Sequence, residues 1–266
     1  MNLLNLEGKK VKEINLPNQF NEEYHPNLIW RAFITIQSNK RQPYGTKEHA
    51  GMRYSAKLSR RRRDYKRSYG YGISRVPRKV LWRRGSQFGF VGAEAPGTVG
   101  GRRAHPPKAE KIWDKKINIK ERRKAIRSAL SATLNKDLVL KRNHQIPILY
   151  PLIIENKFED ISKTKDVIKI LETIGLKKEL SRINIRKVRA GKGKNRSRKY
   201  RNKTGPLIIV SKKCKLIESA KNINGINIVP VNLVNVELLA PGSHAGRLTL
   251  YTEAAIEKME KENLFM

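Results

Sequence analysis

The sequence predicts an α/β fold: a Rossmann-like body, built as a parallel-sheet sandwich of βαβ units, with a long extended basic loop inserted. Strands of four to seven apolar residues alternate with amphipathic helices, which is the pattern of βαβ units. Several strands are apolar on both faces, as in a parallel sheet covered by helices on each side. This pattern stops between residues 40 and 111, so we expect residues 1–39 and 112–266 to form one body.

Two helices are predicted to flank the inserted segment. Before it, an apolar stripe predicts a helix over 27–37, with Asn27 as the N-cap residue. After it, Asn118 and Glu121 have the spacing of a capping box, and a helix follows with Ile119 on its buried face. The chain is therefore expected to leave the body after one helix and to return before the next.

The other elements follow from short apolar runs and from the residues that interrupt them. Gly175 is expected to end one helix, and Thr252 is expected to cap the last one. In chain order, the predicted elements beyond the two helices above are short strands within 1–16, a strand at 148–155, helices at 164–174 and 176–183, a strand at 207–210, a helix at 216–223, a strand at 226–229, a helix at 232–239, a strand at 247–251 and a helix from 252 to about 263.

The 40–111 segment has the composition of an RNA-binding extension. It contains 20 Lys and Arg against four acidic residues, and only seven Ile, Leu or Val. This is too little apolar surface to offset the entropy of ordering the backbone, so we expect disorder in the free protein and order on RNA. Tyr69, Tyr71, Trp82, Phe88 and Phe90 lie among its glycines. Because cations bind phosphates and aromatic rings stack on unpaired bases, this composition favours RNA binding over a solvated linker.

The net charge of the 266-residue chain is +35 and is unevenly distributed. A second segment, 182–203, has eleven Lys and Arg and no acidic residue; together with 40–111 it holds +27 of the +35. This excess predicts a polyanionic partner, with nucleic acid ahead of an anionic membrane surface. No run of 18 apolar residues occurs, so no membrane-spanning helix is expected. The single cysteine, Cys214, excludes an internal disulfide or a multi-cysteine zinc site and fits a reducing, intracellular compartment.

The motifs of a nucleotide-dependent enzyme are missing from the sequence. Glycines 191 and 193 are followed by Arg196 where a dinucleotide fingerprint requires glycine, and no G-x-x-x-x-G-K-[ST] motif occurs. The five histidines show no metal-ligand spacing. The acidic pairs at 22–23 and 159–160 are expected to be solvated loop charges. Neighbouring lysines could lower the pKa of Cys214, although a structural role is favoured for this thiol. We therefore expect no enzyme activity, no cofactor and no metal.

Three groups of motifs resemble one known family. The first group is RQPYGT at 41–46 with the run of four arginines at 60–63. The second is VLWRRG at 80–85 with GGRRAHPPK at 100–108. The third is SALSAT at 128–133 with APGSHAGRLT at 240–249. Together they resemble the large-subunit ribosomal protein four family over nearly the whole chain, in the archaeal-type form that carries the basic 182–203 segment.

This resemblance implies a structural constituent of the large ribosomal subunit, located in the cytoplasm. In that family the α/β body lies on the outside of the subunit, and the loop threads into large-subunit rRNA early in assembly. The loop tip lines the constriction of the nascent-peptide exit tunnel. The implied partners are large-subunit rRNA, neighbouring large-subunit ribosomal proteins and, at the tip, the nascent peptide. No membrane, small-molecule substrate or enzymatic activity is implied.

The family motifs also imply which residues bind. The loop would have two arms, at about 41–67 and 100–108, and a tip at about 72–92. The residues implied to bind rRNA are Arg41, Lys47, Arg53, Arg60, Arg61, Arg62, Arg63, Lys66, Arg67, Arg102, Arg103, Lys108, Arg189, Lys192, Lys194, Arg196, Arg198, Lys199 and Arg201. The residues implied to line the tunnel are Arg75, Arg78, Lys79, Trp82, Arg83, Arg84 and Phe88.

Two other classes of function are kept as alternatives. An RNA-modifying enzyme with an α/β core and a basic loop would require a cofactor cradle or a catalytic constellation. It would bind S-adenosylmethionine or a nucleotide with a defined stoichiometry. A DNA-compacting protein would bind duplex DNA as well as rRNA, whereas a threaded loop requires a folded RNA.

Overall fold

The computed structural model describes residues 1–64 and 68–266. The chain divides into two compact units: the body, Met1–Lys40 with Asp114–Met266, and the inserted unit, Arg41–Trp113. The strands are β1 (Asn2–Leu4), β2 (Lys10–Glu13), β3 (Ala56–Lys57), β4 (Arg78–Arg84), β5 (Gln87–Gly92), β6 (Leu152–Ile154), β7 (Lys187–Val188), β8 (Tyr200–Arg201), β9 (Leu207–Val210), β10 (Asn227–Pro230) and β11 (Thr249–Thr252). The α-helices are α1 (Pro26–Asn39), α2 (Ile119–Leu134), α3 (Lys136–Lys141), α4 (Thr164–Leu171), α5 (Lys177–Asn184), α6 (Lys215–Ala220), α7 (Val236–Leu239) and α8 (Glu253–Lys261).

The body contains a mainly parallel sheet with the strand order β10-β9-β11-β6-β1-β2. Neighbouring strands from β10 to β1 are parallel, and β2 is antiparallel to β1 at one edge. Leu250 of β11 pairs with Leu152 on one side and with Ile208 on the other, so the last strand of the chain lies inside the sheet. The predicted α/β class is confirmed, and the Rossmann-like form stays a prediction.

Two hydrophobic cores lie on opposite faces of the sheet, because successive strand residues point to opposite sides. Ile153 and Ile209 pack in one core with residues of α1, α2 and α8. Leu152, Ile154 and Ile208 pack in the other with residues of α4, α5 and α6. Helices therefore cover both faces, which explains why these strands are continuous apolar runs in the sequence.

The two flanking helices begin close to their predicted positions, but their caps differ from the prediction. α1 begins at Pro26 with His25 at the N-cap position, so the assignment of Asn27 as the cap was wrong. Proline suits the first helical turn because its missing N–H is not needed there. α2 begins after Asn118 as predicted, but no side chain caps it. Ile119 is 61% exposed, so its predicted burial was also wrong.

Local sequence patterns predicted one short strand and the start of the last helix correctly, but they predicted another strand too long. β9 has its predicted bounds, and the Thr252 side chain caps α8 by accepting a hydrogen bond from the Ala255 N–H at 3.3 Å. The strand predicted over 148–155 is shorter, because β6 begins only after Pro151 and Ile148 is exposed. Proline has no N–H to donate to the neighbouring strand, which favours a strand boundary at this position.

Two predicted helices are interrupted in the structure. The helix expected over 164–174 ends at Leu171, and a π-helical turn, Glu172–Leu176, continues directly into α5. The helix expected over 232–239 divides into a 3-10 turn, Val231–Leu233, and α7. Helix α3 was not predicted; the Asn135 side chain caps it by accepting hydrogen bonds from two backbone N–H groups.

The inserted unit contains secondary structure that the sequence analysis did not predict. β3, β4 and β5 form a three-stranded antiparallel sheet, and β4 and β5 form a hairpin with an irregular register between Val80 and Trp82. Basic and aromatic residues occupy these strands in place of one apolar face, so a period-two pattern is weak in the sequence. Both hydrophobic cores consist of body residues, and Ala93 is the buried hydrophobic residue of the described inserted unit.

Candidate nucleic-acid interface

The two arms of the inserted unit lie side by side. The Thr46 N–H donates to the Pro107 carbonyl at 3.0 Å. Gly51 has a φ of +79°, and a β-carbon there would lie 2.5 Å from the Arg102 backbone nitrogen, so glycine permits this close approach. An open cavity of about 760 Å³ lies along the arms. Its cationic lining residues are Lys47, Arg102, Arg103 and Lys108. The structure thus brings predicted binding residues of both arms together.

Cationic side chains lie on aromatic rings at the two ends of the inserted unit. The Arg41 guanidinium lies 3.7 Å from the centroid of the Trp113 ring and donates to the Tyr44 hydroxyl at 3.0 Å. The Tyr44 and Trp113 rings stack with their centroids 5.4 Å apart, and the Lys111 ammonium lies 4.5 Å from the Trp113 centroid. Of these four residues, only Arg41 is predicted from the sequence as a binding residue. The available signal was the position of Trp113, directly after the basic segment.

The hairpin presents predicted tip residues on both of its faces. Phe88 and Phe90 lie on one face with ring centroids 5.1 Å apart, and the Arg78 guanidinium lies 5.3 Å from the Phe90 centroid. On the other face, the Trp82 indole covers Gly89, where a β-carbon would collide with the indole nitrogen. Trp82 is 55% exposed. Both faces therefore carry aromatic surface, and on the phenylalanine face a cation lies beside it, an arrangement suited to stacking on bases.

Further cations of the predicted tip also lie on aromatic rings. The Arg75 guanidinium lies 4.9 Å from the Tyr69 centroid, and the Lys79 ammonium lies 3.8 Å from the Tyr54 centroid. These contacts hold aromatic rings and cations together along the unit. The cations at the far end of the hairpin are exposed; they are Arg83 and Arg84.

The arginine run at residues 60–63 is exposed along its whole length. Next to it, the buried Ser59 hydroxyl accepts a hydrogen bond from the Arg61 N–H at 3.2 Å. Arg53, on the same arm, donates to the Glu48 carbonyl at 3.2 Å. The predicted binding residues Lys66 and Arg67 lie outside the described residues. The run presents guanidinium groups to solvent, where their planar donors match phosphate oxygens.

The second basic segment forms a small antiparallel structure, named the basic ribbon, over residues 186–203. β7 and β8 pair Lys187 with Arg201, and a 3-10 turn, Lys192–Arg196, lies between the two strands. The Arg189 N–H donates to the Lys199 carbonyl at 2.8 Å. None of the ribbon cations forms a salt bridge within the part of the chain that the structure describes. The predicted binding residues of the ribbon are all exposed: Arg189, Lys192, Lys194, Arg196, Arg198, Lys199 and Arg201.

A buried ionic network lies at the base of the basic ribbon. The buried Glu179 carboxylate accepts a hydrogen bond from the Arg182 Nη2 at 2.6 Å and lies 2.7 Å from the His144 Nδ1. Arg182 also donates to the Thr204 carbonyl at 2.8 Å, so it joins the two ends of the segment. Burial raises the pKa of Glu179, but the hydrogen bonds from Arg182 and His144 outweigh it and lower the pKa to about 2. Burial lowers the pKa of His144 despite the neighbouring carboxylate.

The two acidic pairs were expected to be solvated, but only the second residue of each pair is exposed. Glu159 is buried, not solvated, and its carboxylate accepts hydrogen bonds from the hydroxyls of Ser211 and Thr252 at 2.7 and 2.6 Å. Glu22 is partly buried and forms an ion pair with α2. Burial raises the pKa of the Cys214 thiol, so the lowering considered for its neighbouring lysines does not occur, and a structural role stays the favoured interpretation. Each of these environments depends on residues distant in sequence.

Most buried polar groups of the body bond to the fold itself, although the Arg142 Nε is buried without a hydrogen-bond partner among the described residues. Buried Arg247 donates to the Gly205 and Leu238 carbonyls, each at 2.9 Å. Across residues 1–64 and 68–266, no group of three or more His, Cys, Asp or Glu side chains could hold a metal ion. The described helices lack the combination of length and apolar character that crossing a bilayer requires. The exposed cationic surfaces of the inserted unit and the basic ribbon are the main candidates for binding.

Comparison with known proteins gives one consistent family. A sequence profile of the Ribosomal protein L4/L1 family matches residues 14–262. The chain is 48% identical over 264 residues to the large ribosomal subunit protein uL4 of Nanoarchaeum equitans, which covers 99% of this chain and 98% of that protein. It is 43% identical to uL4 of Archaeoglobus fulgidus over 96% of each chain. It is 42% identical to uL4 of Methanococcoides burtonii over 97% of each chain.

Proposed function

Because this chain belongs to the ribosomal protein L4/L1 family, we propose that it binds large-subunit rRNA through the inserted unit and the basic ribbon. It is a structural ribosomal protein and not an enzyme. Its proposed place is the large ribosomal subunit, in the cytoplasm. The observation that carries the proposal is the concentration of exposed cations on these two surfaces.

The charge of the basic ribbon supports a phosphate partner. It has ten Lys and Arg over residues 186–203 and no acidic residue. Cations at this density repel one another, and the repulsion opposes a compact structure in the absence of counterions. RNA phosphates neutralise the cations and release condensed ions from the nucleic acid, which favours binding. In the inserted unit, the cations that line the open cavity along the arms can bind RNA phosphates in the same way.

We assign separate roles to the arms and to the hairpin. The arms hold their cations along a groove that backbone contacts stabilise, which suits anchoring in rRNA. The hairpin is two strands wide, with its backbones about 5 Å apart. Such a narrow element, with exposed Trp82 and partly buried Phe88, suits the constriction of the nascent-peptide exit tunnel. There its tip would contact both rRNA and the nascent peptide.

The N-terminal and C-terminal parts of the body have the charge balance of a surface that contacts other proteins. Residues 1–39 have a net charge of zero, and residues 204–266 have a net charge of +1. We assign these parts to the outside of the subunit, next to other large-subunit ribosomal proteins. Because the basic surfaces require RNA to neutralise them, we place binding early in subunit assembly.

The salt dependence of binding tests the anchoring role of the arms. In a variant with Arg60, Arg61, Arg62 and Arg63 changed to Gln, we expect the log–log salt slope for an rRNA transcript to fall by about 3, at about 0.7 per phosphate contact. The matched control removes four exposed body lysines: Lys165, Lys169, Lys177 and Lys178. A slope that is flat in the unaltered protein, or equally reduced in both variants, would contradict the proposal.

Shortening the hairpin tests the separate role of the tip. Replacing residues 81–89 by Asn-Gly leaves Val80 opposite Phe90, so a two-residue turn can close the remaining strands. We expect tagged protein with this change to sediment with large subunits on a sucrose gradient. Its ribosomes should respond differently to tunnel-binding inhibitors or to arrest-prone nascent chains. If the change abolishes incorporation while the arms are intact, the tip is the anchor and the assignment is wrong.

A further inference from the structure

A cationic pocket lies in the body, separate in sequence from the inserted unit and from the basic ribbon. Tyr24, Lys141, Arg142, His244 and Ala245 line an open cavity of about 420 Å³. Lys141 is the last residue of α3, and Arg142 follows it. The 240–249 motif supplies His244 and Ala245, and neither rRNA surface described above uses these two residues. We name this cavity the Arg142 pocket.

The Arg142 guanidinium is held in place but retains unused donors. Its Nη1 donates to the Pro241 carbonyl at 3.1 Å and also to the His244 carbonyl. Its Nε is buried and has no hydrogen-bond partner among the described residues. A guanidinium has five N–H donors, so the bonds from one nitrogen leave several donors for another acceptor. No carboxylate of the described chain forms a salt bridge with it.

The charged groups around Arg142 leave positive charge in excess. Burial lowers the pKa of Arg142, and the charge of Arg182 lowers it further. Burial lowers the pKa of Arg247 to about 9, with a further contribution from Arg142. Glu179 is acidic, but it already pairs with Arg182 and His144. Arg142 is partly buried and has no counterion among the described residues, so an anion entering the pocket would be stabilised.

From the pocket and this imbalance of charge, we infer that Lys141, Arg142 and His244 bind a phosphate group. Arginine donors match the oxygens of phosphate, and the lysine adds a flexible point charge at the rim. The inference rests on the proposed function, since the rRNA backbone is one source of such a phosphate. Free phosphate is the other source. If rRNA occupies the pocket, the body makes a third contact with it.

Phosphate titration of the full-length protein tests the site directly. The probe is the Arg142 Nε–H resonance in arginine-labelled protein, assigned by its absence in Arg142→Lys. We expect a saturable shift with inorganic phosphate that chloride at equal ionic strength does not produce. Lys141→Gln should weaken phosphate binding by about tenfold, as expected for losing one charge-assisted hydrogen bond. Lys136→Gln makes the same charge change at the other end of α3, outside the pocket, and should leave the affinity unchanged.

Two results would overturn the inference. One is an Arg142 resonance that phosphate does not shift, or that chloride shifts equally. The other is equal phosphate affinity in Lys141→Gln and Lys136→Gln, because a specific site requires the cation at its rim. The control also separates a local contact from a general change in net charge.

The salt slope for an rRNA transcript then identifies the source of the phosphate. If rRNA enters the pocket, Lys141→Gln should lower the slope by about 0.7 to 0.9 relative to Lys136→Gln. If the two variants have equal salt slopes and Lys141→Gln still binds inorganic phosphate more weakly, the pocket is assigned to free phosphate. Failure of the proposed function is a different result: the unaltered protein would show no salt-dependent rRNA binding, while the phosphate titration would still be positive.

Discussion

Replacing Glu179 by glutamine removes the negative charge from the buried network at the base of the basic ribbon. We expect Glu179→Gln to lower the free energy of unfolding by about 3 kcal/mol. The fold lowers the pKa of Glu179 from 4.5 to about 2. At about 1.4 kcal/mol per pKa unit, this shift corresponds to about 3 kcal/mol. Removing one partner of a buried ion pair costs a similar amount, about 3–5 kcal/mol, because the charge of Arg182 remains uncompensated.

The same network gives the stability a defined dependence on pH. The pKa of Glu179 is lower in the folded state than in the unfolded state. Its stabilisation is therefore complete above about pH 4.5 and is lost as the pH falls toward about 2. The pKa of His144 is also lowered, so the unfolded state binds this proton first as the pH falls through 6.5. Protonation of either group destabilises the fold in acid. In Glu179→Gln, the loss of unfolding free energy that occurs below pH 4.5 should therefore disappear.

Urea unfolding followed by circular dichroism measures both effects. The matched control is Glu172→Gln, which makes the same chemical change at an exposed position in the π-helical turn before α5. We expect the control to lie within about 0.5 kcal/mol of the unaltered protein. A Glu179→Gln variant within about 1 kcal/mol of the unaltered protein at pH 7 would refute the reasoning. Unchanged acid sensitivity in that variant would refute it equally.

Three further predictions concern the two units and the hairpin. Replacing residues 42–109 by a short Gly/Ser linker should leave a cooperative unfolding transition, because both hydrophobic cores lie in the body; loss of that transition would place the inserted unit in the core. Trypsin should cut the free protein first within residues 60–67 and more slowly after rRNA binds; the prediction fails if the body is digested first. Gly89→Ala should displace the Trp82 indole and shift its indole N–H resonance. The control, Ser86→Ala in the hairpin turn, should not shift it. An unshifted resonance in Gly89→Ala would contradict the packing of the indole on Gly89.

The class of the fold could be predicted because burial on both faces makes a strand uniformly apolar. Residues 207–210 contain Leu, Ile, Ile and Val, all fully buried, and the predicted strand is β9 itself. The predictions of helix caps and helix breaks were less accurate, since these features depend on only one or two backbone hydrogen bonds. Ile119 begins an apolar stripe in the sequence, yet it lies in the first turn of α2 and is exposed.

The buried polar residues could not be predicted from local spacing. Glu179 and His144 are 35 residues apart, and Glu159 and Thr252 are 93 residues apart. In the sequence, such residues are indistinguishable from solvated surface charges. The hairpin was missed for a related reason: its strands pair through the backbone, and its side chains are mostly cations and aromatic rings, without a buried face. Individual contacts of rRNA-binding side chains stay predictions for the same reason.

The strand order of the body has a consequence for the newly made protein. Synthesis proceeds from the N-terminus, so β11, which joins β9 to β6, is the last strand to leave the ribosome. Before residues 249–252 emerge, the sheet consists of two separate pieces, each with an open edge. A chain whose synthesis stops early therefore cannot close its sheet, although it already carries both cationic surfaces. Incomplete products would thus keep open sheet edges that remain available for aggregation.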